Sequence, residues 1–233
     1  MKLAKCSMMS AATGGRASRG TKGTSLQASE NAVFTIGHSS LESEAFLRLL
    51  GKHRIELVID VRSQPSSGRF PHFNGAALEK ALESAGMAYL FLGEELGGRP
   101  NDPDVYGSDG VVDYRARRKS YAFNAGLERV EREVENRRVA LMCAEDDPIE
   151  CHRFLMICPE LAARELRPQH LRKDGSVETQ QAAEDRLLRA TGFADLAANT
   201  LFPGARTEAL EKALELQARK CAFRVDPNLV GRW

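Results

Sequence analysis

The residues with the most chemistry per position lie in Cys143-Ala144-Glu145-Asp146-Asp147-Pro148-Ile149-Glu150-Cys151-His152-Arg153. Two thiols, an imidazole, a guanidinium and four carboxylates fall within eleven positions. A thiol beside a cationic side chain or a helix N-terminus gives up its proton more readily and becomes a nucleophile near neutral pH. Arg153 and the start of a helix would also hold an oxyanion nearby. Glu145, Asp146 and Asp147 oppose both effects. Arg153 follows Cys143 by ten positions, and Ile149 stands where a cysteine-phosphatase loop carries its arginine, so the spacing is not that loop's.

Elements able to position these groups are legible around them. Val139–Met142 is an apolar run of the kind that fills the middle of a parallel sheet. Asp147 suits a helix cap, Pro148 its first position, and Glu150 completes an Asp-x-x-Glu capping box. The pattern predicts strand, acidic turn and helix, the junction at which open α/β sheets place ligands. Val33–Ile36 is a second strand, ending in Gly37-His38-Ser39, and Leu57–Ile59 a third, ending in Asp60-Val61-Arg62. Ala88–Leu92 is a fourth, followed by Gly97-Gly98-Arg99, and Gln169-His170-Leu171 a short fifth. If the sheet is parallel, His38, Asp60, Arg62, Cys143 and Glu145 meet at one edge, with His152 beside them.

On this reading the catalytic candidates are Cys143, His38, His152, Glu145 and Asp60. Cys143 is the nucleophile, an imidazole its base and Asp60 the group that orients the imidazole. Cys151 is a redox partner for Cys143. Anion binding falls to Arg62 and Arg153, together with Ser66, Ser67 and Arg69 of the loop between Ser63 and Phe73. Two plainer readings stand beside these. A thiol ending an apolar strand is commonly core, and Cys151, Leu155, Cys158 and Ala162 share one helical stripe. Asp60 and Arg62 would then merely brace the loop. No metal and no cofactor is expected. There is no short Cys-x-x-Cys pair or His-Glu-x-x-His helix, and Cys151 and His152 would diverge by about 100° as helix neighbours.

Helices are expected over 41–54, 74–85, 114–138, 148–167 (kinked at Pro159), 178–190 and 207–221. Alternation of strand and helix gives an α/β fold, a compact three-layer domain with a mainly parallel sheet flanked by helices. Residues 32–192 form that domain, 193–233 a C-terminal helical segment packing on it, and 1–31 a disordered basic extension. The extension carries Lys2, Lys5, Arg16, Arg19 and Lys22 with no acid before Glu30. The chain has 233 residues, is 42% hydrophobic and carries a net charge of +1, so no global field points to nucleic acid or membrane. Five cysteines without an export signal indicate reduced thiols in a cytoplasmic protein.

Six ordered segments carry a family resemblance: Thr35-Ile-Gly-His-Ser39; Asp60-Val-Arg62 with Pro65-Ser-Ser67 and Phe70; Phe73-Asn74; Leu92-Gly-Glu-Glu-Leu-Gly-Gly98; Leu141-Met-Cys-Ala-Glu145 with Pro148 and Cys151-His-Arg153; and His170 near Asp174-Gly175. Over roughly residues 33–190 the chain resembles the DUF488 family, domains of unknown function. The resemblance implies a compact α/β fold and no established activity; a loose association with DNA repair is a weak lead. Two functions remain. One is a cysteine-dependent transferase or hydrolase acting on a small anionic, phosphate-bearing substrate. The other is a nucleic-acid-associated module using Arg62, Arg69, Arg99 and the Arg115–Lys119 cluster on backbone phosphates. The balanced charge and the gathering of unusual residues at strand ends favour the enzyme.

Overall fold

The computed structural model describes residues 32–199 and 201–231. The basic extension over 1–31 lies outside the described residues. Six strands form one sheet: β1 (Ala32–Gly37), β2 (Leu57–Asp60), β3 (Ala88–Phe91), β4 (Val139–Cys143), β5 (Arg167–Leu171) and β6 (Val177–Thr179), in the order β3-β2-β4-β1-β5-β6. The first five run parallel, and only β6 is antiparallel, against β5. The carboxyl ends of β1, β2 and β4 therefore lie side by side.

Residue alternation explains why both faces of this sheet are covered. Val139, Leu141 and Cys143 of β4 enter one apolar cluster, whereas Ala140 and Met142 enter the other. The second cluster is closed by α1 (Ser43–Lys52), through Phe46, Leu49 and Leu50, and by α2 (Gly75–Ser84), through Leu78 and Leu82. The first is closed by the helices that follow: α3 (Gly93–Leu96), α4 (Tyr114–Lys119), α5 (Tyr121–Val134), α6 (Cys158–Ala163), α7 (Gln180–Thr191), α8 (Ala194–Ala197) and α9 (Ala205–Cys221). All five residues of β4 are buried, as its central place between β2 and β1 requires. The fold is a three-layer α/β arrangement.

Three segments differ from the pattern the sequence predicts. The long helix over 114–138 is two helices, because Ser120 takes an extended backbone and its hydroxyl accepts from the Phe123 amide to start α5 afresh. Tyr121, the first residue of α5, is 89% exposed. The segment expected as one helix from Pro148 instead runs through a 3₁₀ turn (Pro148–Glu150) and a π-turn (Arg153–Ile157) before α6. Pro159 has no N–H to return to Leu155, and the wider π spacing precedes it. Residues 177–179 form β6 rather than opening a helix, and the Thr179 hydroxyl caps α7 through the Ala182 amide.

Candidate active site

The acidic turn after β4 crosses the end of β1 closely. A Cβ on Gly37 would stand 1.7 Å from the Glu145 carbonyl oxygen, so only glycine admits the crossing. The amides of His38 and Ser39 then donate to the Cys143 and Ala144 carbonyls, both at 2.9 Å. Ser39 has φ 48°, the left-handed turn that swings the chain away. Arg153 ties the turn from the other side. It is 1% exposed, and its guanidinium donates to the carbonyls of Glu145 (2.7 Å) and Asp146 (3.0 Å). The acidity of the turn is largely matched: Asp147 receives both ends of the Arg186 fork at 2.6 Å, and Lys173 lies 2.9 Å from Asp146. Burial opposes ionisation of Asp147, but Arg186 outweighs it and holds the carboxyl below the usual range.

Within this frame the two thiols, Glu145 and His152 touch one another. Cys143 and Cys151 both donate to Glu145 Oε2, at 2.9 and 3.1 Å. His152 Nδ1 lies 3.6 Å from the Cys143 sulfur and 3.8 Å from that of Cys151. His152 Nε2 is 3.0 Å from the Val61 carbonyl, which can only accept, so Nε2 carries a proton and Nδ1 faces the sulfurs. Gly98 lets the preceding loop lie against this ring, since a Cβ there would sit 3.0 Å from His152 Cγ. Burial works against a thiolate at either sulfur. At Cys151 it is outweighed by the Cys143 thiol, Arg153 and His152, and the pKa falls below the ordinary thiol range. At Cys143 burial, then the neighbouring Cys151, pushes it up. Of the two thiols, Cys151 is therefore the more acidic. Desolvation, then Cys151, raises the Glu145 carboxyl.

Beside this cluster, Asp60 and Arg62 form a buried pair. The Arg62 fork donates to Asp60 from Nε (2.9 Å) and Nη2 (2.6 Å), and Nη2 also reaches the Phe73 carbonyl at 2.8 Å. Tyr89 donates to the same carboxylate at 3.0 Å. His38 stacks on Phe73 with ring centroids 4.2 Å apart. Its Nδ1 donates to the Ser39 carbonyl at 3.0 Å, leaving Nε2 to accept from Arg62 at 3.4 Å. Burial, reinforced by Arg62, lowers the His38 pKa to about 4, so the ring is neutral near pH 7.

A cavity of about 900 Å³ opens at this sheet edge. Cys143, Glu145, His38 and His152 form its floor, with Arg62 beside them. Ser63, Ser66, Ser67, Arg69 and Phe70 make one wall, Gly98 and Arg99 a second, and Cys221 to Arg224 a third. The loop wall is held by Asn74, whose carbonyl oxygen accepts from the Ser67 amide at 2.6 Å. Arg69 lies over Phe70 and Arg99 over Phe223. Neither they nor Arg224 enters an ion pair among the described residues.

Most candidates read from the sequence therefore border one cavity: His38, Arg62, Ser66, Ser67, Arg69, Cys143, Glu145 and His152. Asp60, Cys151 and Arg153 lie beneath it, at 0%, 1% and 1% exposure. The guanidinium groups of Arg62 and Arg153 are committed to protein oxygens. The expected divergence of Cys151 and His152 does not occur, because Cys151 ends the 3₁₀ turn in an extended conformation (φ −125°, ψ 142°) and is not in a helix. Arg224 was not among the candidates. Its place comes from bridges that tie 223–225 to 110–112, with Val112 donating to Phe223 and Val225 to Gly110 at 3.0 Å. The only signal was an aromatic-cation pair, Phe223-Arg224, just beyond the last helix. The Arg115–Lys119 cluster lies elsewhere: Arg117 is buried against the Glu94 and Glu95 carbonyls, and Arg115 and Arg118 pair with Glu215 and Glu160.

A family model described as domain of unknown function DUF488 matches residues 42–157. The chain belongs to the DUF488 family. The match is narrower than the span over which the motifs resemble it. The matched DUF488 segment contains the whole Cys143–Arg153 turn, Arg62 and the Ser66–Arg69 loop. It leaves out His38 of the floor and the wall from Cys221 to Arg224. Neither a search of curated proteins nor one of solved structures finds a match to this DUF488 protein.

Proposed function

We propose that this protein is a cysteine-dependent transferase or hydrolase acting on a small phosphate-bearing anion. One observation carries the reading: Cys143, Glu145 and His152, with Cys151 beneath them, and three arginines outside any described ion pair border the same cavity. Arg69, Arg99 and Arg224 take the phosphate oxygens, helped by Ser66 and Ser67. His38, neutral and fixed by Ser39, keeps its Nε2 towards Arg62 and adds no charge to the floor. The thiol cluster is the reactive centre. Arg62 and Arg153 are positioning residues, since each fixes a group of the floor and has its own protein partners.

Free thiols at the site support a reducing compartment, the cytoplasm, as the setting of this activity. Among the described residues no helix is long and apolar enough to cross a membrane. The nucleic-acid reading draws less support, because Arg115, Arg117 and Arg118 of that cluster already have partners in the protein.

Calorimetric titration with pyrophosphate tests the reading. Binding should weaken about tenfold for each of Arg69→Ala, Arg99→Ala and Arg224→Ala, roughly 1.4 kcal/mol apiece. Hydrolysis of a small aryl phosphate should vanish in Cys143→Ser. Unchanged pyrophosphate affinity in the triple arginine variant would sink the proposal.

A further inference from the structure

Four ligand atoms converge at the cavity floor: the sulfurs of Cys143 and Cys151, Nδ1 of His152 and a carboxylate oxygen of Glu145, all within 4.8 Å of one another. Their spacing can be set against a tetrahedral zinc ion. With zinc–sulfur bonds near 2.3 Å and zinc–nitrogen bonds near 2.0 Å, the sulfur–nitrogen edge is roughly 3.6 Å. The two observed separations are 3.6 and 3.8 Å. The sulfur–oxygen separations, 2.9 and 3.1 Å, are shorter because thiol protons are shared with the carboxylate there. A metal ion replaces those protons, and Glu145 moves out by roughly half an ångström. Glu145 is the exposed member of the set, so the move is open to it.

The surroundings match what a thiolate–imidazole metal site needs. The Val61 carbonyl fixes the His152 ring with Nδ1 inward, the outer-shell bond that metal-bound histidines make. The Arg153 amide donates to the Cys151 sulfur at 3.5 Å. The Arg153 guanidinium holds the Glu145 and Asp146 carbonyls from behind. Two thiolates, one carboxylate and a divalent ion sum to one negative charge, which this buried guanidinium offsets. Soft sulfur with imidazole selects zinc over magnesium or calcium, which take oxygen donors.

We infer that Cys143, Cys151 and His152 bind a zinc ion with Glu145 as an exchangeable fourth ligand facing the cavity. The ion deepens the preceding reading and rests on it only for what it acts upon. The cysteines serve as ligands, and an anion oxygen held by the rim arginines reaches the metal when Glu145 gives way. Zinc binding releases the thiol protons to solvent, with no change of oxidation state.

The test uses the full chain, purified under reducing conditions, stripped with a chelator and refilled with Zn²⁺ or Co²⁺ alone. One ion per chain is expected, with cobalt giving sulfur-to-metal charge-transfer absorption. Zn²⁺ should shield Cys143 and Cys151 from maleimide, mapped by mass spectrometry, while Cys221 still reacts. Cys151→Ser should lower Zn²⁺ affinity by about 100-fold or more, and Glu145→Gln by about tenfold; Cys158→Ser, a buried thiol outside the cluster, should leave it unchanged. Folded wild type that takes up no cobalt with sulfur absorption, or in which zinc shields neither cysteine, overturns the site, and so does a Cys143–Cys151 disulfide in the reduced preparation. One metal per chain without pyrophosphate affinity would leave the zinc site standing and remove the anionic-substrate reading; pyrophosphate affinity without metal would do the reverse.

Discussion

At the floor of the cavity and beneath it the guanidinium groups have protein partners: Arg62 lies against Asp60 and the Phe73 carbonyl, and the deeper Arg153 against the Glu145 and Asp146 carbonyls. At the rim, Arg69 and Arg99 rest on aromatic rings, and Arg224 has no described ion pair. The residue type is the same and the physical situation opposite. A buried guanidinium must be matched by fixed acceptors, or desolvation makes it too costly. Once matched, it cannot turn to a ligand without leaving those acceptors bare. An arginine half in water faces no such demand and can bind and release an anion. The contrast separates the groups that build this site from the groups offered to a substrate.

The sharpest way to break the contrast is Arg62→Leu. The variant leaves the fully buried Asp60 carboxylate with Tyr89 as its remaining side-chain donor. Urea denaturation should show a loss of about 3–5 kcal/mol, the cost of orphaning one member of a buried pair. A loss under about 1 kcal/mol would mean that Arg62 is as free as the rim arginines.

A second test concerns how the interior treats charge that it cannot pair. His170 is buried, with Nδ1 2.8 Å from the Thr35 hydroxyl and Nε2 3.1 Å from the Gln180 side-chain oxygen. Burial, then the nearby Arg153, lowers its pKa from 6.5 to about 3, with Arg172 and Arg186 adding to the effect. Below pH 6.5 the unfolded chain takes up a proton that the folded chain refuses, so stability falls as pH drops towards 3 and is fully retained above 6.5. His170→Gln should flatten that part of the stability–pH curve. An unchanged slope would show that another group carries it.

The smallest expected effect is at the rim. Arg224→Ala should shift stability by no more than about 0.5 kcal/mol, while weakening pyrophosphate binding as described above. A large loss of stability would move Arg224 into the structural class and erase the contrast.

The sheet and its functional edge were legible because apolar runs ending in polar residues have one stable arrangement, a parallel sheet with covered faces. Val139–Met142, Val33–Ile36 and Leu57–Ile59 all obey it, and their ends deliver Cys143, His38 and Arg62 to one cavity. What each charged group does there was not legible. Whether an arginine meets a carbonyl or open water depends on turns such as that over Gly37, and these are set by tertiary contacts. The relation of Cys151 to His152 was hidden for a local reason. Asp147-Pro148 starts a 3₁₀ turn that ends at Cys151, so two neighbours expected to diverge turn towards the same sulfur, Cys143. Arg224 was hidden by distance along the chain.

The bridges that hold Phe223 and Arg224 against Val111 and Val112 also set the order in which the cavity comes into being. A ribosome delivers β1 to β5 and the sulfur cluster well before residue 223. The nascent protein can pair its strands and bury its thiols while the third wall is still unmade. Competence to hold an anion would then arrive late in synthesis, as a separate event from folding of the sheet. The chain up to the end of α7 holds every strand and the floor of the cavity, but only two of the three rim arginines.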